Sequence, residues 1–288
     1  MRTLSASWRI MRPKQWTKNV LVLAAPLAAG DLFRLSVAAQ TALAFLAFCC
    51  VSSAVYCFND VADREVDRLH PTKNRRPVAA EEISVPAALA LGSVLGVVGL
   101  ALAWLGGWQL LALLASYVAM QVAYAWWLKN EPVFDIIVIA VGFIMRAVAG
   151  GLAAELPISQ WFLLVTGFGS LFIVAGKRYS ELHALGSGSG TRRSLTRYTA
   201  TYLRFVWSMA AAGAVMSYAL WAFEVTPQHG VPWREISIAP FLMGLLRYAV
   251  DIDAGTAAEP EDIVLADGTL QVLGLAWLVS VSLGVLGA

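Results

Sequence analysis

The 288-residue chain is 59% hydrophobic and only 14% charged, with a net charge of +2 and a mean hydropathy of +0.67. Soluble domains carry about 25% charged residues, so this composition excludes a soluble fold. The apolar residues form blocks of roughly 17 to 25 residues, the length of a helix that crosses a bilayer. We therefore predict an all-α, polytopic membrane protein.

Nine apolar segments separated by polar stretches are the candidate membrane spans. They are residues 16–30, 37–58, 84–105, 109–128, 133–153, 159–176, 199–223, 237–250 and 269–287. The first and the eighth are short, so each either tilts, extends beyond these limits or enters the membrane without crossing it. We predict about nine transmembrane helices in a single domain over residues 1–288, with eight as the alternative count.

The distribution of positive charge predicts the orientation, because Lys and Arg are retained on the cytoplasmic side. Of the 21 Lys and Arg residues, 18 lie at the N-terminus and in one alternating set of loops. The opposite loops contain only Arg34 and Arg234, and Arg146 lies within the fifth span. We therefore expect a multi-pass protein of the plasma membrane whose N-terminus and long polar loops are cytoplasmic.

An acidic cluster lies where the second span ends. Asp60, Asp63 and Asp67 are spaced i, i+3 and i+7, so on an α-helix their carboxylates fall on one face. Like charges at this spacing repel each other, which indicates that a cation lies between them. Carboxylate oxygens without thiol or imidazole suit Mg²⁺, which bridges a few carboxylates to substrate phosphates.

A simpler interpretation of this cluster is a solvated helix end in which Arg64 and Arg68 neutralise the acids. We favour the metal site because carboxylates beside hydrocarbon are rare without a function. Side chains that can donate hydrogen bonds to phosphate oxygens follow at once. They are His70, Lys73, Asn74, Arg75 and Arg76. Together the two groups favour a Mg²⁺-diphosphate substrate.

Ionisable residues within apolar spans are functional candidates. Asp135 and Arg146 lie in the fifth span, and 11 helical positions correspond to roughly 16 Å, so each needs a partner from another element or the cavity. Lys129 lies near the cytoplasmic face. Asp251, at the end of the eighth span, either completes the metal site or faces solvent.

A second polar cluster, residues 176–182, ends the sixth span, four spans after the aspartate cluster. This spacing hints at an internal repeat whose two loops face each other across one cavity. The glycine- and serine-rich run at 186–190 lacks the strand-to-helix context of a phosphate loop. We interpret it as a flexible part of the loop, with a lid as a further option.

The motif Asn59-Asp60-x-x-Asp63-x-x-x-Asp67, in a chain with nine spans, resembles the UbiA superfamily of intramembrane prenyltransferases over essentially the whole chain. The resemblance implies a helical bundle whose cytoplasmic loops, about 59–83, 177–198 and 251–268, cap a central cavity. It also implies two aspartate-rich motifs that bind Mg²⁺ and a polyprenyl diphosphate. This sequence departs at the second motif, where only Glu181 is acidic.

The exchange of acids for bases at the second motif creates a site for another anion. Segments 12–19, 177–181 and 259–262 together resemble one branch of the superfamily, which transfers a phosphoribosyl group. This resemblance implies 5-phosphoribosyl 1-diphosphate as donor, a polyprenyl phosphate as lipid acceptor and a place in cell-wall arabinan synthesis. Nucleic acid is not an expected partner, and a homo-oligomer stays open.

The resemblance also implies residue roles. Asp60, Asp63 and Asp67 would hold Mg²⁺ on the donor's diphosphate, with Asn59 assisting. The candidates for the donor's 5-phosphate or ribose are Lys177, Arg178 and Tyr179 beside Glu181, with Arg75 and Arg76 as second choice. The candidates for the acceptor's phosphate are Lys14, Gln15, Lys18, Asn19 and Arg146, with Lys129 nearby. For segment 12–19 the alternative is an interfacial anchor with snorkelling lysines.

Two other functions fit parts of the pattern. One is a prenyltransferase that joins a polyprenyl diphosphate to an aromatic acceptor, which the basic second motif disfavours. The other is a secondary transporter, for which repeated spans and the intramembrane Asp135 and Arg146 would also be suitable. Charged clusters at one interface, rather than at the midplane, favour an enzyme that meets a soluble donor and a lipid acceptor.

Overall fold

The computed structural model describes residues 2–69, 73–185, 195–224 and 231–286. Within these ranges every regular element is helical, as predicted. The α-helices are α1 Arg2–Ile10, α2 Ala24–Ala28, α3 Leu35–Ala62, α4 Arg64–Arg68, α5 Val85–Leu105, α6 Trp108–Trp126, α7 Phe134–Ala153, α8 Gln160–Leu185, α9 Ala200–Glu224, α10 Trp233–Ile236, α11 Ile238–Asp253, α12 Pro260–Ala266 and α13 Gly268–Leu286. The predictions for His70 and for the 186–190 run lie outside the described residues.

Seven helices in the described ranges are long and apolar enough to cross a membrane. They are α3, α5, α6, α7, α8, α9 and α13. The predicted first span is instead a 3₁₀ segment, Pro13–Leu23, followed by the five-residue α2. The predicted eighth span is α11, which has only 16 residues. A multi-pass helical protein is thus confirmed, whereas the count of nine stays a prediction.

The helices pack closely where small residues remove side-chain bulk. A Cβ added at Gly99 of α5 would lie 2.6 Å from Val51 Cγ2 of α3, and one at Gly213 of α9 would lie 2.8 Å from the Phe168 ring of α8. These glycines therefore allow the pairs α3 with α5 and α8 with α9 to approach each other. The close pairs carry the two polar clusters, which end α3 and α8.

One face of the N-terminal 3₁₀ segment is buried against α7. Val22 is fully buried, and a Cβ at Gly150 of α7 would lie 1.8 Å from the Val22 carbonyl oxygen. Only glycine can occupy that position without moving one of the two backbones. The segment is therefore fixed beside the bundle core rather than resting on its surface.

Candidate active site at one end of the bundle

Two aspartates of the predicted cluster converge on shared arginines. Asp60 is 1% exposed, and its Oδ1 accepts a hydrogen bond from Arg12 Nη2. Arg76 Nη1 lies 3.5 Å from Asp60 Oδ1 and 2.6 Å from Asp67 Oδ2. The Arg12 guanidinium also lies 4.7 Å from the centroid of the Tyr56 ring. The spacing correctly predicts that Asp60 and Asp67 face the same side.

Asp63 lies at the junction between α3 and α4. The backbone continues helically across it, since Asp63 N donates to Asn59 O at 2.9 Å and Asp67 N donates to Asp63 O at 2.8 Å. The Asp63 side chain is 40% exposed, and Lys129 Nζ lies 3.4 Å from its Oδ1. The structure thus places Lys129 beside the aspartate cluster.

The interpretation as a solvated helix end is wrong for the two buried aspartates. Arg64 pairs with Glu65 at 2.5 Å, and Arg68 pairs with Glu65 and Glu81. Neither arginine therefore neutralises the buried pair. That charge is instead matched from the N-terminal segment and from the loop after α4, by Arg12 and Arg76.

One carboxylate oxygen of Asp60 is a candidate metal ligand. Its Oδ2 is buried and, among the described residues, has no hydrogen-bond partner, although an unpaired buried oxygen is costly. In the described ranges, no three or more His, Cys, Asp and Glu side chains lie close enough together to hold a metal ion by themselves. Mg²⁺ does not need so many protein ligands, since it keeps waters and uses one or two carboxylates plus phosphates. Asp60 and Asp67 fit that mode.

Acidic residues at the start of α12 join the second cluster to the N-terminal segment. Lys177 Nζ lies 3.8 Å from Glu259 Oε2 and 3.9 Å from Glu181 Oε1. Lys14 Nζ lies 2.6 Å from Asp262 Oδ1. The three segments on which the finer resemblance was based therefore lie together at one end of the bundle.

Arg178 is a buried hub rather than a surface ligand. It is 2% exposed, and its Nε donates to Asp135 Oδ2 at 3.1 Å. Its Nη1 donates to Glu181 Oε2 at 2.6 Å, and its Nη2 contacts the Tyr124 hydroxyl at 3.5 Å. The prediction that Arg178 holds a donor phosphate is corrected, because its donors are directed at protein acceptors.

Tyr179 needs the same correction. Its side chain is 1% exposed, and its hydroxyl accepts a hydrogen bond from Arg204 Nη2 at 2.8 Å. Arg204 Nη2 also donates to Asp253 Oδ1 at 2.7 Å. Tyr179 therefore ties the end of α8 to α9 and α11. Lys177, which is 29% exposed, is the accessible cation of the predicted trio.

Tyr198 binds the same buried Asp135 as Arg178 does, and the sequence analysis did not identify it. Its hydroxyl donates to Asp135 Oδ1 at 2.5 Å and accepts from Val133 N at 2.5 Å. Val133 has a φ of 70°, which a β-branched residue rarely adopts, so this bond stabilises an unusual turn. Burial and the hydrogen bond to Asp135 raise the pKa of Tyr198 above its ordinary value. No fixed sequence spacing marks such a pair.

Arg146 and Asn19 bind each other. Arg146 Nε donates to Asn19 Oδ1 at 2.8 Å, Nη1 to Gly142 O at 2.7 Å and Nη2 to the Tyr117 hydroxyl at 2.9 Å. Asn19 is fully buried and Arg146 is 6% exposed. The sequence correctly predicts that Arg146 does not pair with Asp135. The prediction that Asn19 and Arg146 contact the acceptor's phosphate directly is corrected.

The other predicted residues lie around the same end. Asn59 is half-buried in the last turn of α3, and Arg75 is exposed. Lys18 Nζ donates to Gln15 Oε1 at 2.5 Å. Asp251 Oδ2 is buried and has no hydrogen-bond partner within the described ranges, so that carboxylate does not simply face solvent.

Comparison with known proteins found a family whose model matches most of this chain. The UbiA prenyltransferase family matches residues 20–266. A decaprenyl-phosphate phosphoribosyltransferase of Mycobacterium tuberculosis is 49% identical over 282 residues, covering 96% of this chain and 93% of that protein. The protein of the same name in Corynebacterium glutamicum is 47% identical over 286 residues, covering 96% and 86%.

Solved structures support the fold. A UbiA homolog from Archaeoglobus fulgidus, bound to GPP and Mg²⁺, aligns with 98% of this chain and 100% of its own, with a TM-score of 0.73. Its sequence identity is 18%. The likeness therefore concerns the helical architecture.

Proposed function

We propose that this chain, which belongs to the UbiA prenyltransferase family, transfers a 5-phosphoribosyl group from 5-phosphoribosyl 1-diphosphate to decaprenyl phosphate and releases pyrophosphate. Relatives of that name at 49% and 47% identity, matched over nearly the full chain, support this pentosyltransferase activity. The product would be a lipid-linked pentose phosphate for cell-wall arabinan.

One structural observation carries the proposal furthest. Asp60 and Asp67 are buried together at one end of the bundle, and Asp60 Oδ2 lacks a protein partner within the described ranges. We assign these carboxylates to Mg²⁺, with Asp63 and the Asn59 amide beside them. When bound, Mg²⁺ would neutralise charge on the departing diphosphate. The Archaeoglobus homolog binds Mg²⁺ together with GPP, which supports the assignment.

The reaction needs no nucleophile from the protein. The bond between C1 of the ribose and the diphosphate oxygen breaks, and an oxygen of the acceptor's phosphate forms the new bond to C1 from the opposite face. Inversion at C1 is therefore expected. The acceptor's phosphate is already an anion at neutral pH, so a strong general base is not required. The protein contributes positioning and electrostatic stabilisation.

The chain's own side chains divide these tasks. Arg12 and Arg76 hold Asp60 and Asp67 in place, so that the two carboxylates are available at a defined position. Lys177 is our candidate for the donor's 5-phosphate, with the exposed Arg75 as second choice. Arg178 keeps Glu181 fixed one helical turn from Lys177. The donor's diphosphate would thus bind at the aspartate cluster, and its 5-phosphate would bind at the cluster that ends α8.

We further propose that the chain crosses the plasma membrane nine times with this end at the cytoplasmic face. The concentration of Lys and Arg in one set of loops supports that orientation. A soluble phosphoribosyl donor also requires a site open to the cytoplasm.

The activity assay uses the purified full-length protein in detergent with Mg²⁺, decaprenyl phosphate and radiolabelled 5-phosphoribosyl 1-diphosphate. Label is expected in the lipid fraction, and omission of decaprenyl phosphate should abolish it. A parallel reaction offers a polyprenyl diphosphate and an aromatic acid. Turnover in that reaction, with no label in decaprenyl phosphate, would replace the proposal with aromatic prenyl transfer.

A further inference from the structure

In the 3₁₀ segment Pro13–Leu23, the exposure of the side chains repeats every three residues. Asn19 and Val22 are buried and Trp16 is partly buried, whereas Lys14, Thr17 and Val20 are exposed. A third column, partly buried, contains Gln15, Lys18 and Leu21, and Arg12 lies directly before the segment in a left-handed backbone conformation. Residues at i and i+3 eclipse each other on a 3₁₀ helix, whereas on an α-helix each such step drifts by about 60°. The unusual helix type therefore creates three separate faces.

The buried face is fastened by hydrogen bonds. Trp16 Nε1 donates to Ser53 Oγ at 3.0 Å. Asn19 Nδ2 lies 3.3 Å from Cys49 Sγ and 3.4 Å from Ser52 Oγ of α3, while Asn19 Oδ1 accepts from Arg146 Nε. The segment is thus tied to both α3 and α7.

Arg146 has the geometry of a positioning group. No ion pair of Arg146 occurs among the described residues, and its guanidinium lies 5.0 to 5.8 Å from the centroids of three aromatic rings. A buried arginine is costly unless its donors are used. Here they fix Asn19, the Gly142 carbonyl and Tyr117, which sets the rotation of the 3₁₀ segment relative to α6 and α7.

The partly buried column follows Arg12, which pairs with the aspartate cluster. Arg12 donates to Asp60, and Lys18 and Gln15 are joined by a hydrogen bond. Leu21, the next residue of this column after Lys18, is apolar and partly buried. A lysine and an amide that are followed in the same column by apolar surface suit a phosphate with a hydrocarbon tail. A soluble sugar phosphate would have no use for that surface.

We infer, on the basis of the proposed function, that Gln15 and Lys18 form the face that binds the phosphate of the lipid acceptor, and that Arg12, which is paired with Asp60, links this face to the aspartate cluster. Arg146, acting through Asn19, is the positioning residue that keeps this column aligned with Asp60. A rotation of the segment by one position would bring Thr17 or Asn19 into the place of Lys18. Lys14, which lies on the exposed face and pairs with Asp262, belongs to a different column.

The first test compares columns of one segment. Lys18→Ala and Gln15→Ala should each raise the KM for decaprenyl phosphate, about tenfold for the lysine, because a charge-assisted hydrogen bond is lost. The KM for 5-phosphoribosyl 1-diphosphate should stay unchanged. Thr17→Val is the matched control and should keep both values, while Lys14→Ala should have a smaller effect than Lys18→Ala. Equal effects of Lys14→Ala and Lys18→Ala would overturn the assignment.

The second test separates positioning from support of the fold. Asn19→Asp retains an oxygen for Arg146 Nε and should keep the acceptor KM near that of the unchanged protein. Asn19→Leu and Arg146→Lys should raise the acceptor KM several-fold and leave the donor KM unchanged. If these two variants only lower the yield or the Tm, and the folded fraction has an unchanged acceptor KM, the positioning role is wrong.

A binding measurement keeps the inference independent of turnover. Decaprenyl phosphate should raise the Tm of the full-length protein in detergent, whereas decaprenol, which lacks the phosphate, should not. The rise should shrink in Lys18→Ala and persist in Thr17→Val. An equal rise in both variants would overturn the inference, even in an active enzyme. The expected difference without any transfer of label would overturn the proposed function and leave the inference standing.

Discussion

The aspartate cluster at the end of α3 and the basic cluster at the end of α8 are both polar groups at one end of the bundle, but they differ in what they leave unsatisfied. Asp60 keeps one buried oxygen without a protein partner in the described ranges. Arg178, by contrast, directs all three of its nitrogens at protein oxygens. The first cluster is therefore suited to bind a ligand, and the second mainly holds neighbouring elements in place.

This difference has a physical cause. A carboxylate whose oxygen is unpaired gains most from an added cation, since burial has removed its water. A guanidinium already paired with Asp135 and Glu181 gains little from an added phosphate. The same distinction separates Lys177, which is partly exposed, from its neighbour Arg178.

The largest expected effect is at the aspartate cluster. Asp60→Asn should lower kcat for phosphoribosyl transfer by at least about 100-fold, because it removes a carboxylate assigned to the Mg²⁺ that would neutralise the leaving diphosphate. The Tm should change little. Asp31→Asn, in the turn before the N-terminus of α3 and paired with Arg34 at 3.1 Å, is the control and should keep full activity. Near-normal turnover of Asp60→Asn would remove the metal-site proposal.

The second prediction concerns the buried pair at the other cluster. Arg178→Met leaves Asp135 buried without its cation, which should cost roughly 3 to 5 kcal/mol of unfolding free energy. Thermal denaturation in detergent measures the loss. The double variant Arg178→Met with Asp135→Leu should regain part of it, because the uncompensated charge is gone. An unchanged Tm in the single variant would show that the pair does not support the fold.

A smaller effect is expected at Lys177. Lys177→Ala should raise the KM for 5-phosphoribosyl 1-diphosphate by about tenfold, because one charge-assisted contact to the 5-phosphate is lost. The Tm and the acceptor KM should stay unchanged. Lys177→Arg, which retains the charge, should be less affected. If the donor KM does not change in Lys177→Ala, the anion site is elsewhere, and Arg75→Ala becomes the next variant to measure.

The smallest effect is expected at Tyr198. Tyr198→Phe removes one hydrogen bond to Asp135 and should cost about 1 kcal/mol. Because the pKa of Tyr198 is raised in the folded state, its contribution is complete below the unfolded pKa of about 10 and is lost as the pH rises above it. Unfolding measured between pH 8 and 11 should therefore show a decline in the unchanged protein that is weaker in Tyr198→Phe.

Much of the fold could be predicted because lipid imposes a simple rule. A bilayer requires long apolar helices, so residues 37–58 and 133–153 correspond closely to Leu35–Ala62 and Phe134–Ala153. Residues 16–30 were harder, because apolar composition does not distinguish a spanning helix from the 3₁₀ segment Pro13–Leu23. That conformation is seen only in the folded bundle, where the Val22 carbonyl packs against Gly150 of α7.

The sequence by itself determined the membrane class, the aspartate face and the family resemblance, because each depends on composition or on spacing within one helix. Tertiary structure alone decided which charges are available. Arg178 meets Asp135, and Arg146 meets Asn19, across 43 and 127 positions of the chain. Pairing at such separations follows from helix packing and not from local spacing. The same basic residues that look equivalent in the sequence thus separate into buried positioning groups and the accessible Lys177.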